Sequence, residues 1–231
     1  MRGNVLTQGF WNFYALCYDA LVELIPYQQM MADVAASLEL EDGMTVMIAG
    51  CGTGNLERYL LDHGFNGKIV AVDFSSEMLR IAGQKNPGVT YAWSDLSKRL
   101  DFEDRMFDRI ASVNVLYTLP DPEHALTEMT RVLKEHGKMV HATPKSGLSL
   151  SSIFFSHLRQ ASLAQWVEIV PMLFSLMLLL VCNLIIFEKV KTGHYQFFSK
   201  DEVESLSSGY GLSLDETYSD QNWLLTAGGM S

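Results

Sequence analysis

Apolar positions across residues 7–38 recur at helical spacing: Phe10, Tyr14, Cys17, Tyr18, Leu21, then Leu24 or Ile25. Pro26 breaks this run, and a second helix is predicted to about Leu38. After the Asp42-Gly43 turn the pattern changes to short apolar runs that read as buried strands: Thr45–Ala49, Lys68–Val72, Val89–Trp93, Phe107–Val113 and Lys138–Ala142. Amphipathic stretches separate them. Asn55–His63 follows a glycine loop, Glu77–Gln84 is capped by Ser75 or Ser76, and a third helix starts at Asp121-Pro122 with Asp as cap and Pro in the first turn. Leu126, Met129, Val132 and Leu133 form its buried side, and Gly137 is predicted to stop it. Ser199–Gly211 reads as a capped helix, followed by strands beginning at Leu212 and Asn222. Strands alternating with helices predict an α/β fold with a mainly parallel sheet, a final hairpin and helices on both faces.

Composition narrows the partners. With 27 acidic against 17 basic residues, a net charge of −10 and no basic cluster, the chain is not built for a nucleic-acid backbone. Its 48% apolar residues suffice for a large core. Cys17, Cys51 and Cys182 are odd in number and lack metal-ligand spacing, which points to a reduced, cytoplasmic setting and no metal site. The N-terminal stretch lacks the unbroken apolar region and cleavage pattern of a secretion signal.

The chemistry concentrates at the strand ends. VMIAGCGTGN (Val46–Asn55) places Gly50, Gly52 and Gly54 directly after an apolar strand. The spacing is not that of a P-loop, and Asn55 occupies the third glycine position of a dinucleotide fingerprint. Such glycines permit positive φ and close approach of backbone to a ligand, although they also suit a plain tight turn. Asp73, at the end of the second strand, decides for a ligand, because a carboxylate there can accept both hydroxyls of a ribose. Asp95 ends the third strand, where it can accept from an adenine amino group.

These stretches, together with VAVDFSSEML (Val70–Leu79), SDL (Ser94–Leu96), FDRIASVNVLYTLPDP (Phe107–Pro122) and GKMVHATP (Gly137–Pro144), resemble the class I S-adenosylmethionine-dependent methyltransferases. The similarity is to the broad group that includes ubiquinone and menaquinone C-methyltransferases, from about Tyr18 to Pro144 and again from about Tyr195 to Gly228. It implies a Rossmann-like sheet and S-adenosyl-L-methionine as cofactor. It places Gly50, Gly52 and Gly54 under the methionine and ribose portions, Asp73 on the ribose, and Asp95 and the Leu96 N–H on the adenine. Phe74 is implied as a further contact, Asn114 lies beside the methionine part, and Tyr18 closes over the cofactor. One position departs. The family carries an acid two residues before the first glycine, and this chain has Ile48, with Asp19 a candidate substitute. That departure keeps open a cofactor-binding protein that does not methylate, or one that uses the sulfonium for another reaction such as cyclisation.

An insertion, residues 146–193, follows the fifth strand, and Ile169–Phe187 within it carries no charge. Nineteen helical residues can in principle span a hydrocarbon core. One crossing, however, would strand the final hairpin on the far side of the bilayer. Three readings stand: an apolar cap over the site, a peripheral membrane contact, or a homodimer interface. A cap of Leu, Ile, Met and Phe favours a small apolar or lipid-like substrate. The expected organisation is therefore N-terminal helices 1–40 over the cofactor, a methyltransferase core 41–145 and 194–231, and the cap 146–193. Methyl transfer by in-line displacement requires a base only for a protonated acceptor. The candidates are Tyr117, His141 (in the fifth strand, as a structural residue first), His157, His194 and Tyr195.

Overall fold

The computed structural model describes residues 6–146, 159, 173–215 and 222–228. Two N-terminal helices, α1 (Gln8–Tyr18) and α2 (Ile25–Ser37), are joined by a 3-10 turn at Asp19–Glu23. The core follows as β1 (Thr45–Ala49), α3 (Asn55–Asp62), β2 (Lys68–Asp73), α4 (Ser76–Lys85), β3 (Thr90–Trp93), β4 (Phe107–Val113), α5 (Pro122–Val132) and β5 (Leu133–Pro144). Then come α6 (Leu173–Lys191), α7 (Lys200–Ser208), β6 (Ser213–Asp215) and β7 (Asn222–Gly228). The seven strands form one sheet in the order β3-β2-β1-β4-β5-β7-β6. The first five are parallel, and β7 runs antiparallel to both β5 and β6. The strand order reverses between β1 and β4, which leaves a crevice at their carboxyl ends.

Each sheet face has its own core. Val46, Ile48, Ile69 and Ala71 point to α2 and α3, while Met47, Ile110, Met139 and Leu225 point to α5 and α7. Two expected boundaries move. Pro26 does not end α1; it lies in the first turn of α2, where its missing N–H costs nothing, and α1 already stops at Tyr18. Gly137 does not stop α5. That helix ends at Val132, and Gly137 lies inside β5, where the register against β4 jumps from Phe107↔Leu133 to Arg109↔Lys138. A Cβ on Gly137 would lie 2.6 Å from Leu133 Cδ1 and 3.0 Å from the Asp108 carbonyl, so the glycine serves a close strand approach.

The insertion is closed at its neck. Ser146 N–H donates to the Phe198 carbonyl at 2.9 Å, and β5 pairs with β7 along its length from Lys138 to Pro144. The chain thus leaves at the end of β5 and returns beside it at Phe198. Helix α6 is long and apolar enough to cross a membrane by length and composition. One side of it, Leu179, Cys182 and Ile186, is buried, and the helix packs against α1. The outer side is bare, with Leu173, Phe174, Met177 and Leu184 all more than half exposed.

Candidate functional site

A cavity lies over the carboxyl ends of the central strands, and its two ends differ in chemistry. One end is built by the loops after β1, β2 and β3. Gly50 (φ +73°) and Gly52 (φ +55°) adopt left-handed backbone that glycine tolerates. A Cβ on Gly50 would collide with Val115 at 2.3 Å, and one on Gly52 would touch the Tyr18 ring at 3.4 Å. The loop therefore offers bare backbone to the cavity, with Tyr18 above it. Gly54 (φ +81°) does not line the cavity. It is the N-cap of α3, held by Asn86 Nδ2 donating to its carbonyl at 2.8 Å, and a Cβ there would meet that nitrogen at 2.6 Å.

Asp73 anchors this loop while facing the cavity. Its Oδ2 accepts from Gly52 N–H and its Oδ1 from Ser75 N–H, both at 2.8 Å. Burial raises its carboxyl above the ordinary range, and these backbone donors oppose the rise. Each oxygen keeps a lone pair for a ligand hydroxyl. Ser75 also caps α4 by accepting from Met78 N–H. Phe74 lines the cavity, its carbonyl held by Trp93 Nε1 at 2.8 Å and Gln8 Nε2 at 3.1 Å. Asp95 is nearly buried. Its Oδ1 accepts from Ser97 N–H at 3.0 Å, Oδ2 lies 3.5 Å from Lys98 Nζ, and Leu96 follows it along the wall. Asn114 directly follows β4 in a left-handed conformation (φ +57°) with a buried Oδ1 that meets no donor. That oxygen is an unfilled acceptor on the wall, suited to an ammonium group.

The other end is apolar and aromatic. Trp11 and Tyr14 from α1, Tyr117 after β4, Ile186 and Phe187 from α6, and Phe197 enclose it. The one side-chain amide of α6 here, Asn183, donates to the Tyr14 hydroxyl at 3.1 Å and to the Leu179 carbonyl at 2.8 Å. Burial raises the Tyr14 and Tyr117 hydroxyls well above their ordinary values, so both are neutral hydrogen-bonding phenols.

Of the base candidates among the described residues, only Tyr117 lines the cavity. His141 lies inside the sheet, fully buried, with both ring nitrogens unpaired and its pKa pushed down to about 3 by burial. It lies in β5 as expected, but away from the cavity and without the hydrogen-bond partners a satisfied core histidine would have. His194 is exposed and contacts Thr192 Oγ1. Tyr195 is buried, its hydroxyl accepting from Leu6 N–H at 3.2 Å, and it stands outside the cavity. His157 lies outside the described residues, as does the first part of the uncharged run. Sequence reasoning missed Trp11, Tyr14, Asn183 and Phe197. Asn183 alone had a signal, being one of two uncharged polar side chains, with Ser175, in an otherwise apolar run.

Residues 47–141 match the family model described as a methyltransferase domain. Demethylmenaquinone methyltransferase from Bacillus cereus is 31% identical over 131 residues, covering 53% of this chain and 55% of that protein. The Oceanobacillus iheyensis enzyme of the same name is 32% identical over 139 residues, covering 57% and 58%. The chain thus spans little more than half the length of these curated relatives. In three dimensions it resembles an S-adenosylmethionine-dependent methyltransferase from Aquifex aeolicus, with a TM-score of 0.60 and 18% identity, covering 92% of this chain and 93% of that one. The glycine loop, the two acids at their strand ends and the unfilled Asn114 acceptor fit S-adenosylmethionine, the cofactor of this class. Residues 47–141 thus match a methyltransferase domain, and the chain as a whole shares its fold with S-adenosylmethionine-dependent methyltransferases.

Proposed function

We propose that this protein transfers a methyl group from S-adenosylmethionine to a small, apolar acceptor bound beneath α6. One observation carries the reading: polar, acid-bearing strand ends and an aromatic chamber share one cavity. In this reading Asp73 holds the ribose hydroxyls, Asp95 and the Leu96 N–H hold the adenine, and Phe74 borders it. Asn114 Oδ1 accepts from the cofactor's amino group, Gly50 and Gly52 let it approach backbone, and Tyr18 covers it. Residues 1–40 then cover the cofactor, 41–145 and 194–231 form the core, and 146–193 supply the acceptor cap. The cofactor provides an activated methyl group on a sulfonium.

The protein's own part is positioning and exclusion of water. Tyr14 and Tyr117 are held neutral, so they orient an acceptor by hydrogen bonds and do not remove its proton. The acceptor must bring a lone pair or ionise by itself, as a phenol or an enol does. The names of the curated relatives favour a lipid-like acceptor. The bare outer side of α6, with Lys189 and Lys191 in its last turn, favours peripheral contact with a lipid surface, over which an apolar acceptor could enter.

Turnover tests the reading. Incubation with S-adenosylmethionine and a panel of apolar phenols and enols should release S-adenosylhomocysteine, with polar analogues inert. Cofactor binding without any transfer would favour the non-methylating alternative. Leu180→Asp with Leu184→Asp should abolish flotation with anionic vesicles and leave cofactor affinity unchanged. Flotation unaffected by these changes, or a monomer–dimer shift in its place, would remove the lipid contact.

A further inference from the structure

Beneath the glycine loop, β1 offers no polar brace, because Ile48 is buried among apolar side chains. The polar tie comes from the opposite side. Asp19, at the start of the 3-10 turn after α1, sits where the N-terminal cover, the loop, α3 and the end of α4 converge. Lys85, the last residue of α4, places its ammonium 2.9 and 3.0 Å from the two Asp19 oxygens and 2.6 Å from Asn55 Oδ1. All three of its protons are used. The buried Thr53 hydroxyl, between Gly52 and Gly54, donates to the same Asp19 carboxylate. Asn55 Nδ2 extends the network to the Tyr27 hydroxyl on α2 at 3.3 Å. Both N-terminal helices are thereby tied to the loop. The neighbour of Asp19 in the chain is Tyr18, whose ring bounds the space above Gly52. A shift of Asp19 must therefore move the loop and the cavity wall together.

We propose that Asp19 and Lys85 are positioning residues for the cofactor, forming a latch that couples docking of α1 and α2 to the shape of the glycine loop. This rests on the cofactor assignment above. The latch takes over from the cover side the bracing that β1, with Ile48, does not supply. Its side chains are 45% and 23% exposed, so it is accessible to water and can open without unfolding the sheet. Opening frees Tyr18 and gives the cofactor a way in; closing sets the loop and the cover in one step.

The test compares wild type, Asp19→Ala and Lys85→Met by calorimetric titration with S-adenosylmethionine and by hydrogen exchange. Each substitution should weaken binding about 3- to 10-fold, the range for a partly exposed ion pair with added hydrogen bonds. In wild type the cofactor should slow exchange in the glycine loop and in α1 together. In the variants it should protect the loop and leave α1 unprotected, a change that a purely structural role would not produce. The exchanged pair Asp19→Lys with Lys85→Asp should restore part of the joint protection. Lys85→Met keeps the aliphatic stem and carries the test if Asp19→Ala lowers the melting temperature. Unchanged affinity, or weakened affinity with joint protection retained, overturns the latch. Absence of binding by the wild type overturns the cofactor assignment itself.

Discussion

Glu57 should make the protein lose stability as pH rises through neutrality, and Glu57→Gln should abolish that loss. The residue lies in the first turn of α3, directly beneath the glycine loop, and is fully buried. Neither carboxyl oxygen has a hydrogen-bond partner of normal geometry; only its own backbone N–H and the Cys51 thiol approach it weakly. The other groups around it are Asp73, Lys85, Tyr27 and Tyr91. Burial is the main cause that pushes its pKa from 4.5 up to about 8; the charge of Asp73 adds to the rise, while its own backbone N–H and Lys85 oppose it. The folded state therefore holds a proton that the unfolded chain releases above about pH 4.5. Stability from this group is fully present below that value and is lost as pH rises towards 8. At about 1.4 kcal/mol per pH unit the loss would reach at most about 5 kcal/mol, and local relaxation and water entry reduce it to roughly 2–4. Gln has the same shape and no titration, so its own unpaired amide costs about the same at every pH. Urea unfolding followed by circular dichroism at about pH 5 and about pH 8 should show Glu57→Gln gaining roughly 2–4 kcal/mol over wild type between the two. Parallel pH profiles for the two proteins would refute the argument and mean that Glu57 is solvated or paired in solution.

Three further outcomes follow from the same geometry. Asp73→Ala removes two charge-assisted ligand bonds together with the Gly52 anchor, so calorimetry should show S-adenosylmethionine affinity falling by about 2–4 kcal/mol, or roughly 30- to 1000-fold; unchanged affinity would exclude this carboxylate as a cofactor ligand. Ile48→Asp places an unpaired carboxylate in the core shared with α2 and α3, so it should lower stability by several kcal/mol and not tighten cofactor binding, as a melting scan with and without cofactor would reveal. His141, held neutral by burial down to about pH 3 against an ordinary 6.5, contributes stability that is full above 6.5 and is lost as pH falls towards 3; His141→Leu should flatten this acid limb of the unfolding profile.

The strands of the core were readable because glycine, aspartate and serine punctuate them at their ends. The β1 and β4 runs coincide with the apolar pattern, Asp121 caps its helix where the sequence placed it, and Ser75, one of two candidates, caps α4. Gly137 misled because a glycine that ends a helix and one that admits a neighbouring strand look alike in sequence; only the β4–β5 register separates them. Helix α6 is apolar on all sides, so no periodicity marked the side that would pack against α1. Its single informative residue was Asn183, a half-buried amide that needed a partner and found Tyr14. The glycine loop with Asp73 was legible because left-handed backbone and the carboxylate that anchors it impose residue types at strand ends. Glu57 was not, since a first-turn acid on α3 reads as an ordinary helix-stabilising residue until its burial is seen.

The most direct test of the account is the position of the transferable methyl group. S-adenosylmethionine carrying a ¹³C-labelled methyl, bound to the protein and examined by isotope-filtered nuclear Overhauser spectroscopy, should show contacts from that methyl to the Tyr14 and Tyr117 rings. A methyl group exposed to solvent, contacts confined to residues outside this cavity, or no saturable binding would contradict it.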